Sequence, residues 1–226
     1  MNRTRVYAEL PVPGGVVGEG CGGPVLLPRP LAGVALDCAL RGVYEGPFAA
    51  PRGVPVLHPN GFVKLPVAVL PGTAGRLFLH VWLRDGEDSH IHNHRWDFTS
   101  TVLRGTLHNT LVDVGPGGDG PRLRTVRHSP EAGGFRFDGH GASWVRVTSL
   151  RTVALPEGAE YAMEARTLHR VRAEGGSMTL VTRGIPRRSW SDVLLDRPVE
   201  DGPRRMRPVG TAEREHYLRL ALESLA

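Results

Sequence analysis

The feature that most constrains this chain is a succession of short segments whose apolar residues alternate. Residues 62–69 place Val63, Leu65, Val67 and Val69 on one face and Phe62 and Lys64 on the other. Residues 76–84 repeat the pattern, with Leu77, Leu79, Val81 and Leu83 opposite Phe78, His80, Trp82 and Arg84. Period two is the signature of a strand, because successive side chains point to opposite faces. Further strands are read at 106–114, 123–128, 134–137, 144–147, 168–172 and 178–183. Turn signals separate them: Pro71-Gly72, Asp85-Gly86-Glu87-Asp88, the glycine-rich run 115–120, and Pro156-Glu157-Gly158. Eight or more such strands at close spacing, without helices between them, predict an all-β barrel or sandwich.

The chemistry concentrates between the second and third strands. His90, His92 and His94 alternate within five residues, and Asp97 follows closely. On an extended strand the three imidazoles share one face. Neutral imidazoles and a carboxylate converging on one spot suit Zn, Fe, Ni or Cu. A pair of histidines on one strand needs a further ligand from elsewhere to close a metal site. His169, in Leu168-His169-Arg170-Val171 downstream of the Pro-Glu-Gly turn, is the candidate. Spacing alone leaves two registers open, His90 with His92 or His92 with His94. Asp97 is either a ligand itself or the acceptor for a ligand's second imidazole nitrogen.

The remaining sequence frames this stretch. The 226 residues divide into a Pro/Gly-rich segment at 1–56, a barrel at 57–200 and a C-terminal helical segment at 201–226. A short helix fits 31–40 in the first segment. In the last, 211–225 reads as a helix with Thr211 as its cap and Tyr217, Leu218, Ala221, Leu222 and Leu225 as its apolar stripe. The net charge of +5 comes from scattered arginines, with Lys64 the sole lysine. Such scatter reads as solvated loops, so no nucleic-acid partner is expected. Cys21 and Cys38 form neither a zinc spacing nor a disulfide framework. No apolar run has signal or membrane length, so the expectation is a soluble cytoplasmic protein without a membrane partner.

The His90/His92/His94 run with Asp97 and Gly105, followed by Pro156-Glu157-Gly158 and His169, resembles the two motifs of the cupin superfamily of jelly-roll barrels. The two motifs together cover about residues 57–190. Within cupins, Ile91-His92-Asn93-His94, then Gly105-Thr106-Leu107, and Tyr161 eight residues before Leu168-His169-Arg170-Val171, look like thiol dioxygenases of the cysteine dioxygenase type. That resemblance implies a cupin-type jelly roll with a metal triad of His92, His94 and His169, leaving His90 as a neighbour. It also places Lys64 near the residue that holds a substrate carboxylate. The chain departs from that family in lacking a Cys near Thr99 or Ser100 and a Ser-His-Tyr relay in 178–183. The piece His94-Arg95-Trp96-Asp97-Phe98 resembles bacterial cupins of unassigned activity instead.

Three neutral imidazoles leave about three open positions on an octahedral metal, enough for O2 and a substrate together. The expected function is a non-haem Fe(II) dioxygenase acting on a small anionic thiol or carboxylate, with Mn, Ni or Zn as other ions the site accepts. Asp97 and His90 are the expected catalytic residues, and Lys64, His80, Trp82, Arg84 and Tyr161 the expected substrate contacts. The expected partners are the small-molecule substrate and O2, and a homodimer is compatible with the reading. A metal-dependent isomerase or lyase is the alternative, using the ion as a Lewis acid and His80, His90 or His108 as base. A small-ligand-binding cupin without catalysis is the third.

Overall fold

The computed structural model describes residues 26–70, 75–88, 90–117, 119–132, 134–197 and 202–226. Cys21, Ser89, the Pro71-Gly72 turn and residue 118 of the glycine-rich turn lie outside the described residues, as does most of the Pro/Gly-rich start. Two antiparallel sheets face each other. The first runs in the order Glu160–Met163, Phe98–Arg104, Met178–Arg183, Gly75–Trp82, Phe62–Leu70, Val56–Leu57 and Arg207–Pro208. The second runs Gly202–Arg205, Gly134–Leu155, Leu107–Gly115, His169–Ala173, Ile91–His92, Ser191–Leu195 and Arg122–Glu131. From Glu160–Met163 through His169–Ala173 and Met178–Arg183 to Ser191–Leu195 the chain alternates between the sheets, as it does from Ile91–His92 through Phe98–Arg104 to Leu107–Gly115. This crossing makes an all-β jelly roll with a C-terminal helix.

Helix α1 (Arg29–Arg41) and helix α2 (Thr211–Glu223) both pack on the outer face of the first sheet. There Leu36, Ala39, Leu218 and Ala221 meet Val63, Leu65, Leu77 and Leu79 in the largest apolar cluster. Arg214 donates to the Ala39 carbonyl at 2.7 Å and Arg29 to that of Ser224 at 2.9 Å, tying the helices to each other. The alternating aliphatics therefore face the helices, and their opposite face, with Phe62, Lys64, Phe78, His80 and Trp82, turns toward the barrel interior.

Several local expectations are corrected. The pairing of strand Phe62–Leu70 with Gly75–Trp82 shifts between Pro66 and Ala68, a bulge that inverts the alternation. Ala68 and Leu70 are buried beyond it and Val69 is not. Strand Gly75–Trp82 ends before Leu83 and Arg84, both exposed. The segments read at 134–137 and 144–147 belong to one 22-residue strand, Gly134–Leu155. It pairs first with Arg122–Glu131 and then with Leu107–Gly115. Thr211 is the first helical residue rather than the cap; Gly210 holds that place and donates its N–H to Glu213. Gly105, the turn after Phe98–Arg104, has φ +77°, and a Cβ there would press on Ser177, whose Cα is 3.1 Å away. Both conditions demand glycine.

Candidate metal centre

The histidine stretch is not one long strand. Only Ile91–His92 is extended, and the chain then turns through residues 93–97 before strand Phe98–Arg104 begins. His92 lies directly opposite His169 across the Ile91–His92/His169–Ala173 pairing. Their ring centroids are 4.8 Å apart, as expected for facing cross-strand residues. His94, on the turn, brings its ring to 5.0 Å from that of His92 and 5.1 Å from that of His169. One nitrogen from each of His92, His94 and His169 falls within 4.8 Å of the others. The His94 and His169 Nε2 atoms are 2.9 Å apart. Two nitrogens bound about 2.1 Å from one ion at right angles would be separated by about 3 Å, so this spacing fits a shared ion.

The outer nitrogens have their own partners. His169 Nδ1 donates to Asn109 Oδ1 at 2.9 Å, and His92 Nδ1 donates to the His90 carbonyl at 3.1 Å. These acceptors direct each Nε2 lone pair inward, which is the usual back-support of a ligating imidazole. Burial, with the neighbouring imidazoles adding to it, holds His94 and His169 well below the ordinary histidine range, so both are neutral donors at pH 7.

A clamp behind the triad sets its geometry. Asn93, buried between the two histidines, accepts from the Asp192 N–H at 2.7 Å and from the Arg188 guanidinium. Its amide donates to the Asp192 carboxylate at 2.9 Å. The His94 N–H donates to the Ala165 carbonyl at 2.9 Å. Asp88, buried, accepts from the Val171 N–H at 2.9 Å, two residues beyond His169, and stands 4.0 Å from His92 Nδ1. Burial raises its carboxyl above the usual range.

The other expected residues divide sharply. Lys64, His80, Trp82, His90 and Tyr161 line a cavity of about 560 Å³ between the sheets, together with the three histidines. Burial, with Arg183 and Arg95 adding repulsion, lowers Lys64 to about 7. Burial leaves His80 neutral, and its Nε2 has no hydrogen-bond partner among the described residues. Burial pushes the Tyr161 phenol up to about 12. Arg84 is exposed and outside the cavity because its strand has already ended. Asp97 is not placed to accept from a ligand imidazole. One oxygen accepts the Ala165 N–H at 2.8 Å, and the other pairs with Arg187. Asn109 and the His90 carbonyl occupy the acceptor role expected of it. The His90 ring packs edge-on against Phe137.

Asn109, Asp88, Asn93, Arg95 and Arg183 were not among the expected site residues. Asn109 left a signal: a polar side chain at an inward position between Leu107 and Leu111. Asp88 resembled one more acidic residue of a turn, and nothing local marked Asn93 or the two arginines.

No protein-family profile matches the chain, and no curated protein matches it in sequence. Solved structures to which it is similar include an RmlC-like cupin from Shewanella frigidimarina NCIMB 400, 12% identical with a TM-score of 0.35. That match covers 63% of this chain and 94% of the other. The oxalate decarboxylase formate complex of Lactobacillus farciminis is 12% identical, TM-score 0.40, over 66% of this chain and 35% of that one. The hydroxypropylphosphonic acid epoxidase of S. wedmorenis is 16% identical, TM-score 0.36, over 64% and 60%. The chain thus spans about a third of the decarboxylase and three-fifths of the epoxidase. At this distance their activities do not transfer to it.

Proposed function

We propose that this chain is a metal-dependent cupin enzyme, and that it works as a non-haem Fe(II) dioxygenase on a small anionic thiol or carboxylate. The observation that carries the reading is the convergence of three imidazoles, two of them back-supported and no carboxylate among them, at the wall of a cavity of about 560 Å³. A neutral ligand set leaves a divalent ion net positive and with open positions, so an anionic substrate and O2 fit side by side. Bound Fe(II) would supply Lewis acidity and one-electron reduction of O2.

The chain's own groups do the rest. Phe98, Trp82, Phe62 and Leu107 wall the cavity with apolar surface that limits water around the reacting groups. Lys64 offers a cation to the substrate's anionic end, and Tyr161 stays a neutral hydroxyl. His80 lines the same cavity, and its Nε2, unpartnered among the described residues, is a group that can hold or pass a proton.

The test is turnover of thiol and carboxylate substrates by the Fe(II) protein, in air and under strict anaerobiosis, and again with Zn(II) replacing iron. Oxygen-dependent product with Fe(II) alone is expected. Undiminished product without O2 and with Zn(II) would overturn the dioxygenase and leave a Lewis-acid isomerase or lyase.

A further inference from the structure

Three cations gather at one end of the cavity. The Arg183 guanidinium lies 4.2 Å, that of Arg95 4.9 Å and the Lys64 ammonium 5.8 Å from the Trp96 ring centroid. Lys64 and Arg183 also share Phe78, at 4.7 and 5.0 Å. The convergence has a structural origin. Lys64, Phe78 and Arg183 sit on three neighbouring strands of the first sheet, and the turn after His94 lays Arg95 and Trp96 against them. Among the described residues no carboxylate is paired with any of the three cations, although Asp97 and Arg187 form an ion pair close by. Among the described residues Arg183 Nε is buried without a hydrogen-bond partner, as is His80 Nε2 on the residue opposite Lys64. Like charges held this close, half-buried and unpaired, repel one another, and ring faces offset only part of that cost. Negative charge brought by a ligand would relieve that repulsion.

The required charge is more than one. With Lys64 protonated, a monocarboxylate would leave two positive charges uncompensated. The three cations also converge on one ring rather than on two separated points, which suits a compact group with several oxygens rather than two spaced carboxylates. Guanidinium forks match tetrahedral oxyanions, and an ammonium adds a point charge. We propose that the substrate carries, at its non-reacting end, a tetrahedral dianion of the phosphate type, gripped by Lys64, Arg95 and Arg183. The Trp96 ring is 6.1 Å from that of His94, so a small molecule anchored there presents its other end to the triad. This inference rests on reading the cavity as a substrate site.

The test is calorimetric titration of the metal-loaded protein with inorganic phosphate, and separately with malonate and acetate. Phosphate should bind at least about tenfold more tightly than either carboxylate. Arg183→Met and Arg95→Gln should each weaken it by about tenfold or more. Arg183→Lys, which keeps the charge and loses the fork, should fall between. His94→Ala separates this claim from the metal claim, because it should lose metal and retain phosphate binding. Phosphate bound no better than acetate, or bound normally by both arginine variants with unchanged melting, would overturn the inference. Tight malonate binding with weak phosphate binding would also overturn it. Phosphate binding by wild-type protein that takes up no metal would support it while removing the dioxygenase.

Discussion

Lys64 shows a functional group set against stability. Its ammonium is half-buried beside Arg183 and Arg95, which brings its folded-state value from 10.5 down to about 7. In the unfolded chain it stays protonated to about 10.4. Between those values the unfolded state binds more protons, so Lys64's penalty is full below about pH 7 and fades as pH rises toward 10.4. Lys64→Met, in anion-free buffer, should therefore melt higher than wild type at pH 6.5 and converge with it near pH 10. A melting difference that grows with pH would contradict this. A second prediction concerns Asn109, which orients His169 through a single hydrogen bond. Asn109→Leu removes the acceptor while roughly keeping volume, and should weaken metal binding about 10–100-fold without unfolding the protein. Unaltered metal affinity in folded Asn109→Leu would mean that the bond does not support the ligand.

At the scale of elements, the turn 93–97 determines the site more than any strand does. His92 is placed by strand pairing, but His94 depends on Asn93 being held by Asp192 and Arg188. Asn93→Ala leaves buried donors without their acceptor and should cost about 1–3 kcal/mol of stability. Denaturant unfolding measures that cost, and metal content should fall with it. An unchanged midpoint would dismiss the clamp. This turn also marks the limit of what was legible in the sequence. The period-two runs at 62–69 and 76–84 located strands Phe62–Leu70 and Gly75–Trp82, because alternation is a local property. Spacing brought His90, His92, His94 and His169 under suspicion without choosing a register; the resemblance selected His92, His94 and His169, and these three do converge. Asp97 was misplaced because its neighbours, Ala165 and Arg187, lie 68 and 90 residues away in sequence and leave no local trace. The bulge at 66–68 was hidden for a related reason, since it exists only in the pairing between strands.

Over the whole molecule, the fold separates stability from chemistry. The largest apolar cluster lies outside the barrel, between the first sheet and helices α1 and α2. The space between the sheets can then hold neutral histidines, unpaired cations and a cavity, all of which weaken a core. Truncating Leu218, fully buried on α2, should cost about 2–5 kcal/mol yet leave the metal stoichiometry of the folded protein unchanged. Among the described residues no helix is long and apolar enough to cross a membrane. The account stands on the claim that His92, His94 and His169 jointly hold an ion, and metal content per chain tests it most directly. Wild-type protein loaded with Fe(II) and desalted should carry close to one ion. His92→Ala, His94→Ala and His169→Ala should each lose most of it, while His90→Ala and Asp97→Asn keep it. Full occupancy in folded His169→Ala would contradict the site itself.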